Sequence, residues 1–210
     1  MNHFRIIYLT ALVFVLLIIS NAKAGAQVAI VSGVNLSTVR SQITLENKKP
    51  IWGYHSGFHF QYYPFQNFQN ISIINGVELY RKGYRQDFGE NYDSRFWYWT
   101  FPVLLNYSFS DQFALQAGAE LSALSFTNIK QSSETYNHFD TGLALGVSFF
   151  NNKRVSCYAM CVYGLLPMLD YYEIDELGNF TRELHDMKNL SFSMGVKINL
   201  YNEKIRFYKQ

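Results

Sequence analysis

The chain has 210 residues, enough for a single domain of ordinary size. Aromatic residues make up 18% of the sequence, a high share for a soluble domain, whereas charged residues make up 16%. The formal net charge is +2, and it falls to near zero when Arg5 and Lys23 of a predicted leader are removed. This balance gives no reason to expect nucleic acid or an acidic molecule as a partner.

Residues 1–26 have the features of a secretory signal peptide. Arg5 supplies the positive region, residues 6–19 form the apolar region, and small-x-small motifs end at Ala24 and Ala26. We expect cleavage after Ala26, with cleavage after Ala24 as the alternative. The apolar region is too short for a confident transmembrane helix. The absence of Cys just after the cleavage region argues against a lipoprotein.

The rest of the chain predicts strands, because apolar residues recur at every second position. Eight strands are expected: Gln27–Ser37, Trp52–Tyr63, Asn70–Arg85, the two arms of Thr100–Phe126, His138–Phe150, Arg154–Leu166 and Asn189–Tyr201. The connections between them alternate between long and short. The long ones are Thr38–Pro50, Gln86–Arg95, Thr127–Asn137 and Pro167–Lys188. In an up-and-down barrel all long connections then lie at one mouth.

The hairpin Thr100–Phe126 shows the pattern most clearly, with arms joined by Ser110-Asp111-Gln112. Strands of this length match a tilted crossing of a bilayer. The sequence therefore predicts an all-β fold, an eight-stranded antiparallel up-and-down transmembrane β-barrel over residues 27–201. Residues 202–210 are expected to form a short C-terminal tail.

Aromatic side chains are expected to form a girdle at each membrane interface. The external set is Trp97, Tyr98, Trp99, Phe126, Phe139 and Tyr163, and the periplasmic set is Tyr62, Tyr63, Phe109, Phe113, Phe149 and Tyr201. Pro102 is unfavourable in a strand, and we expect a bulge or fraying near the external end to accommodate it.

Cys157 and Cys161 fall on one face of a predicted strand, four residues apart. That spacing corresponds to about 13 Å at about 3.3 Å per residue, beyond the limit of about 7 Å for a disulfide. They are predicted to be small apolar wall residues, and a metal pair without a nearby His is the weaker alternative.

The inward positions predict a packed polar lumen, because an eight-stranded barrel is just wide enough for side chains to fill it. These positions include His59, Gln61, Glu78, Asn106, Gln116, Glu120 and Lys197. Buried charge has to be paired, and we expect Glu78 or Glu120 to pair with Lys197 or an Arg.

We predict no catalytic residue, no cofactor site and no metal site. A lipid-modifying barrel needs a His beside a Ser, but the neighbours His55 and Ser56 must face opposite sides of a strand. The acidic residues of Pro167–Lys188 match no calcium-loop spacing, and we expect a solvated acidic face.

Several segments together resemble the PorT-like family of outer-membrane barrels, which is related in shape to the OmpX type. They are GVNLS (33–37), GYHSGFHFQYYP (53–64), GVELYRKGYR (76–85), FPVLLNYSFSDQFALQAGAELS (101–122), FDTGLALGVSF (139–149) and LSFSMGVKINL (190–200). The resemblance implies an eight-stranded barrel, and Pro102 matches a proline that the family often carries. The founding member is linked to protein secretion across the outer membrane, a role that a shared barrel alone does not transfer.

These observations predict a non-enzymatic protein of the bacterial outer membrane, with a structural or interaction role carried by its external loops. A role accessory to secretion is one form of this function. The alternatives are a lipid-modifying enzyme, such as a lipid A deacylase or acyltransferase, and a soluble lipocalin-like barrel. The expected partners are outer-membrane lipid and a protein at the external loops, with no nucleic acid, and the barrel is expected to be monomeric.

Overall fold

The computed structural model describes residues 26–41, 48–64, 68, 70–87, 89–129, 136–150, 153–174 and 180–202. The predicted leader, apart from Ala26, and the predicted tail beyond Asn202 lie outside these residues. The strands are β1 (Ala26–Arg40), β2 (Lys48–Tyr62), β3 (Ile71–Asp87), β4 (Asn91–Ser108), β5 (Phe113–Thr127), β6 (Phe139–Phe149), β7 (Val155–Gly164), β8 (Leu169–Ile174), β9 (Phe180–Asp186) and β10 (Lys188–Asn202).

Eight of these strands form a closed barrel in the order β1-β10-β7-β6-β5-β4-β3-β2, and every neighbouring pair is antiparallel. The first and last strands of the barrel pair with each other, so no edge remains open. Strands β8 and β9 form a separate hairpin. The predicted fold class is confirmed. Among the described residues, no helix has the length and hydrophobicity to cross a membrane.

The outward side chains form a continuous apolar band. On β4 and the residue that follows it, alternate side chains from Trp97 to Phe109 face outward. This stretch measures about 40 Å at about 3.3 Å per residue, and a tilt of about 45° reduces its height to about 28 Å. The apolar band is therefore as tall as the hydrocarbon core of a bilayer.

The predicted external loop Gln86–Arg95 is mostly strand, so this part of the loop prediction is wrong. β3 and β4 continue as a ladder beyond the apolar band, as far as the pair Asp87 and Asn91. Opposite charges stabilise this extension: Arg85 faces Asp93 across the two strands and donates to it from Nε and Nη2. The charged sequence resembled a loop, but above a bilayer a ladder needs no apolar outer face.

The predicted loop Pro167–Lys188 also contains unexpected structure. β8 and β9 pair from Leu169 with Asp186 to Ile174 with Phe180. The tyrosines at 171 and 172 favour a strand, and the acidic residues around them had suggested a solvated loop. The longest external connection is therefore a hairpin that continues the antiparallel pattern outside the barrel.

Pro102 lies inside β4, not at a frayed external end as predicted. It faces the lumen and pairs with Glu120 of β5. On the β3 side no pairing is formed between the pair Asn75–Val103 and the pair Glu78–Thr100, and the register is the same on both sides of this gap. The missing N–H of proline thus interrupts the pairing of β3 and β4 locally and introduces no bulge.

The aromatic girdle is confirmed for most of its predicted members. Trp97 stacks on Phe126 near the external end with ring centroids 4.4 Å apart, and Phe113 contacts Phe149 near the other end at 5.5 Å. The assignment of Tyr98 to the external girdle is wrong. A residue between two outward-facing tryptophans must face inward, and Tyr98 is buried. Tyr62 and Tyr63 are also buried, and the side chain of Tyr201 lies outside the described ones.

Cys157 and Cys161 are free thiols on the outward face of β7, as predicted. Their neighbours across the strands are Val196 and Phe192 of β10. Both therefore contribute small, apolar surface to the outer wall of the barrel.

Leu145, at mid-strand in β6, is 65% exposed on the apolar band. Leu145→Arg should lower the free energy of unfolding by about 2–4 kcal/mol, because it places a cation near the bilayer midplane. Thr38→Arg, at the external end of the outward face of β1, is the matched control and should cost about 0–1 kcal/mol. Urea unfolding in lipid vesicles measures both variants, and equal losses would contradict the proposed facing.

Candidate functional site

The lumen is filled by side chains, beginning with a histidine–glutamate cluster at mid-height. His59 Nε2 lies 2.8 Å from Glu78 Oε1, and His55 Nε2 lies 4.0 Å from Glu78 Oε2. His55 also contacts the Tyr158 hydroxyl at 2.5 Å and stacks on Tyr80 with ring centroids 4.5 Å apart. All of these side chains are buried, so the cluster is a cross-braced part of the barrel interior.

Two glycines make room for this cluster. Gly33 of β1 pairs with Gly195 of β10. A Cβ atom at Gly33 would lie 2.6 Å from His55 Cε1, and one at Gly195 would lie 2.7 Å from Tyr158 Cζ. Both glycines are needed because each ring lies close over the backbone of the adjacent strand, where His55 is paired with Gly33 and Tyr158 with Gly195.

A buried ion pair lies next to the histidines. Lys82 Nζ donates to Glu120 Oε1, and Ser122 Oγ donates to the same oxygen at 3.2 Å. The predicted partner for Glu120 was Lys197 or an Arg, so the identity of the cation is a correction. Alternation along β3 could have found Lys82, because Glu78, Tyr80 and Lys82 share one face.

Lys197 instead joins a chain of amides and hydroxyls. Its Nζ donates to Gln61 Oε1 at 3.1 Å, and Gln61 Nε2 donates to Ser72 Oγ at 2.8 Å. Asn106 donates to Ser72 at 3.0 Å, and Gln116 donates to Asn106 at 3.2 Å. All seven predicted inward positions are buried, but within the described residues no carboxylate pairs with Lys197.

Apolar residues fill the remaining part of the interior. Ile74, Leu104, Ala144, Met160 and Val162 form a buried cluster in the barrel. A cavity of about 20 Å³ lies between this cluster and the carboxylates of Glu78 and Glu120. That volume holds about one water molecule. In the described part of the chain, the lumen is therefore packed, as predicted, although it is less uniformly polar than expected.

The histidines show no arrangement for nucleophilic catalysis within the described residues. His55 is buried in the lumen, whereas Ser56 faces outward and donates to the Val31 carbonyl at 3.3 Å. His138 is exposed at the end of a loop, and the side chain of His185 lies outside the described ones. The predicted separation of His55 from Ser56 is confirmed.

A second apolar cluster packs in the external mouth of the barrel. This mouth cluster contains Val39, Tyr80, Tyr84, Phe96, Tyr98, Met168 and Met187. The two methionines flank the β8–β9 hairpin, and Met168 N donates to Met187 O at 2.9 Å. Asn137 N donates to Met168 O at 2.9 Å. The hairpin is therefore held to the barrel by buried side chains and backbone hydrogen bonds at its base.

The β3–β4 extension carries a compact charge network outside the apolar band. Asp93 accepts from Arg85 at 2.5 Å and from Arg95 Nη2 at 2.7 Å. The hydrogen bond from Arg85, with help from Arg95, holds the pKa of Asp93 below its ordinary value of 3.8. Lys49 forms a further ion pair with Asp87 at 2.9 Å. The external extension is thus polar, ordered by cross-strand charge pairs and accessible to solvent.

A closed antiparallel barrel with an apolar band, a filled lumen and external extensions defines a small membrane barrel. Residues 20–170, more than half of the chain, match the family described as outer membrane protein beta-barrel domain. The chain belongs to this family, and it is a β-barrel protein of the bacterial outer membrane. The soluble lipocalin-like alternative is wrong, because the outward face is apolar and the family resides in the outer membrane.

Several solved structures are similar to this chain at low sequence identity. Ail, the attachment invasion locus protein of Yersinia pestis, is 18% identical with a TM-score of 0.47, and the match covers 84% of this chain and 99% of that one. Neisserial surface protein A is 14% identical with a TM-score of 0.49, and the match covers 84% of this chain and 99% of that one. OprG from Pseudomonas aeruginosa is 11% identical with a TM-score of 0.48, and the match covers 85% of this chain and 97% of that one. No curated protein matches the chain.

Breaking the buried pair should destabilise the barrel strongly. Lys82→Met leaves Glu120 buried without its cation, and we expect a loss of about 3–5 kcal/mol in the free energy of unfolding. Lys49→Met, which removes an exposed pair, should cost less than about 1 kcal/mol. The double variant Lys82→Met with Glu120→Leu should recover most of the loss. Urea unfolding measures all three, and equal midpoints for the two single variants would contradict the assignment.

The Asp93 network predicts a defined pH dependence. A carboxyl whose pKa is lowered by folding contributes stability at and above its unfolded pKa, and this contribution is lost as pH falls through the folded value. An NMR titration of the Asp93 carboxyl should therefore give a midpoint below 3.8. Arg85→Gln should raise the midpoint, and Arg81→Gln should leave it unchanged. A midpoint insensitive to Arg85 would contradict the network.

Proposed function

We propose that this protein is a non-enzymatic outer-membrane barrel that binds a protein partner through its ordered external structures. The observation that carries the proposal is the contrast between the filled barrel interior and the ordered structures outside the membrane. The lumen is packed and an apolar cluster fills its mouth, while the β3–β4 ladder extends beyond the apolar band and β8 and β9 form a separate external hairpin. A barrel of this kind offers a partner its external surface.

The resemblance to the PorT-like family supports an accessory role in secretion as the finer form of this proposal. A lipid-modifying activity has less support, because the neighbours His55 and Ser56 face opposite sides of β2. The monomeric state and the cleavage of residues 1–26 are further parts of the proposal.

The hairpin can be tested without disturbing the barrel. Replacing Tyr171–Glu183 with a short turn leaves Met168 and Met187 in the mouth cluster, so we expect the barrel to fold. A mobility difference between boiled and unboiled samples on a gel checks this, and loss of the folded form would contradict the separation of hairpin and barrel.

Partner binding can be located in intact cells by a photo-crosslinking amino acid placed at Tyr172 in β8 of the hairpin or at Asp111 in the periplasmic turn. We expect a discrete crosslinked product from the hairpin, and we expect the shortened variant, with the probe in its turn, to lose it. A product from Asp111 alone would contradict an external partner and favour a periplasmic one.

A further inference from the structure

An apolar groove crosses the outer wall where β5, β6, β7 and β10 meet. Its volume is about 450 Å³, within the usual range for sites that bind small molecules. Its lining includes small residues beside larger ones: Ala117, Leu145, Gly146, Ala159, Cys161 and Phe192. The groove lies within the apolar band, so at this depth in a bilayer its occupant has to be apolar.

A cation is fixed directly above the groove, at the external rim. The Arg40 guanidinium carbon lies 3.6 Å from the centroid of the Tyr163 ring. One terminal nitrogen donates to the Tyr163 hydroxyl, and the other donates to the Gly164 carbonyl at 3.1 Å. Tyr163 is two residues from Cys161 on the same face of β7, a rise of about 7 Å. The guanidinium is therefore held immediately above the external end of the groove.

A second cation faces the same side. Lys188 pairs with Arg40 across β10 and β1, and alternation places both side chains outward. Neither forms an ion pair with a carboxylate whose side chain is described, whereas Lys49, Arg85 and Arg95 all do. The terminal nitrogens of Arg40 keep further N–H groups for an acceptor. The rim above the groove thus suits an anionic headgroup.

We propose that this wall binds a phosphate-bearing lipid of the outer leaflet, with the phosphate on Arg40 and Lys188 and an acyl chain in the groove. A second copy of the barrel fits this surface poorly. Two barrels in one membrane related by a two-fold axis through the groove would bring Arg40 and Lys188 towards the same cations of the other copy. A lipid satisfies both the charge and the apolar surface, and this inference is independent of the proposed partner-binding function.

The headgroup contact is tested by native mass spectrometry of the purified barrel with diphosphoryl lipid A as the probe. Arg40→Gln should weaken binding by about fivefold or more, because it removes a cation at the headgroup level. Arg81→Gln is the matched control, since Arg81 also lies over a rim aromatic ring, that of Tyr54, at 4.8 Å, on a different part of the wall. Equal losses for the two variants would overturn the site in favour of a general basic rim.

The chain contact is tested by filling the groove. Cys161→Phe should weaken binding of lipid A and of its dephosphorylated counterpart, because the ring occupies the groove. Cys157→Phe makes the same change on the same face of β7, below the groove, and should leave binding unchanged. Gel mobility of unboiled samples confirms that both variants fold. Equal binding by the two phenylalanine variants would overturn the acyl-chain contact.

Two further outcomes would overturn the inference. Competition by inorganic phosphate as effective as that by lipid A would show a site for the free anion. A wild-type dimer that Cys161→Phe dissociates, without bound lipid, would show that the groove binds a second copy. The variant lacking Tyr171–Glu183 should bind lipid A normally, so failure of the external-partner proposal and failure of the lipid site are distinguishable.

Discussion

The hydrocarbon core of a bilayer offers no water to backbone N–H and C=O groups, and the rest of this structure depends on that constraint. A sheet satisfies all of them only when it closes, as β1 and β10 do here. Closure then divides every strand into an outward face that must be apolar and an inward face that must pack in a narrow space. The buried charges of Glu78, Lys82 and Glu120 are tolerated because they meet one another or the histidines inside that space.

The sequence was sufficient to predict the faces and insufficient to predict the partners. A period of two identifies His59, Glu78, Glu120 and Lys197 as inward residues without any knowledge of the fold. The contacts between them depend on the tilt and stagger of the strands, which place Lys197 beside Gln61, 136 residues away along the chain. Local pattern contains no information about that stagger, so the predicted pairing of Lys197 with a glutamate was wrong while its burial was correct.

In the β3–β4 extension outside the apolar band, the sequence pattern failed to identify the strands themselves. Alternating polarity identifies strands only where the two faces meet different surroundings, and above the bilayer both faces of β3 and β4 meet water. Charged residues there suggested a loop, yet Arg85 and Asp93 lie opposite each other and stabilise the ladder. The bilayer therefore makes strands easy to recognise within it and hard to recognise beyond it. Pro102 is a related case, since proline disfavours a strand, although the closed barrel tolerates a pause in one ladder.

The mouth cluster connects the barrel interior to the external hairpin and anchors the base of that hairpin. Met187 adopts a positive φ of 64°, a conformation that costs a non-glycine residue about 1–3 kcal/mol and persists only where the surrounding structure imposes it. Here the hydrogen bond from Met168 to Met187 joins the two ends of the hairpin, and the buried side chains of both residues fix its base to the barrel. A hairpin anchored at its base has less conformational entropy to lose on binding than a free loop has, and the proposed partner-binding function relies on this property. The residues that pack in the external mouth are thus also the residues that anchor the hairpin on which the proposed function depends.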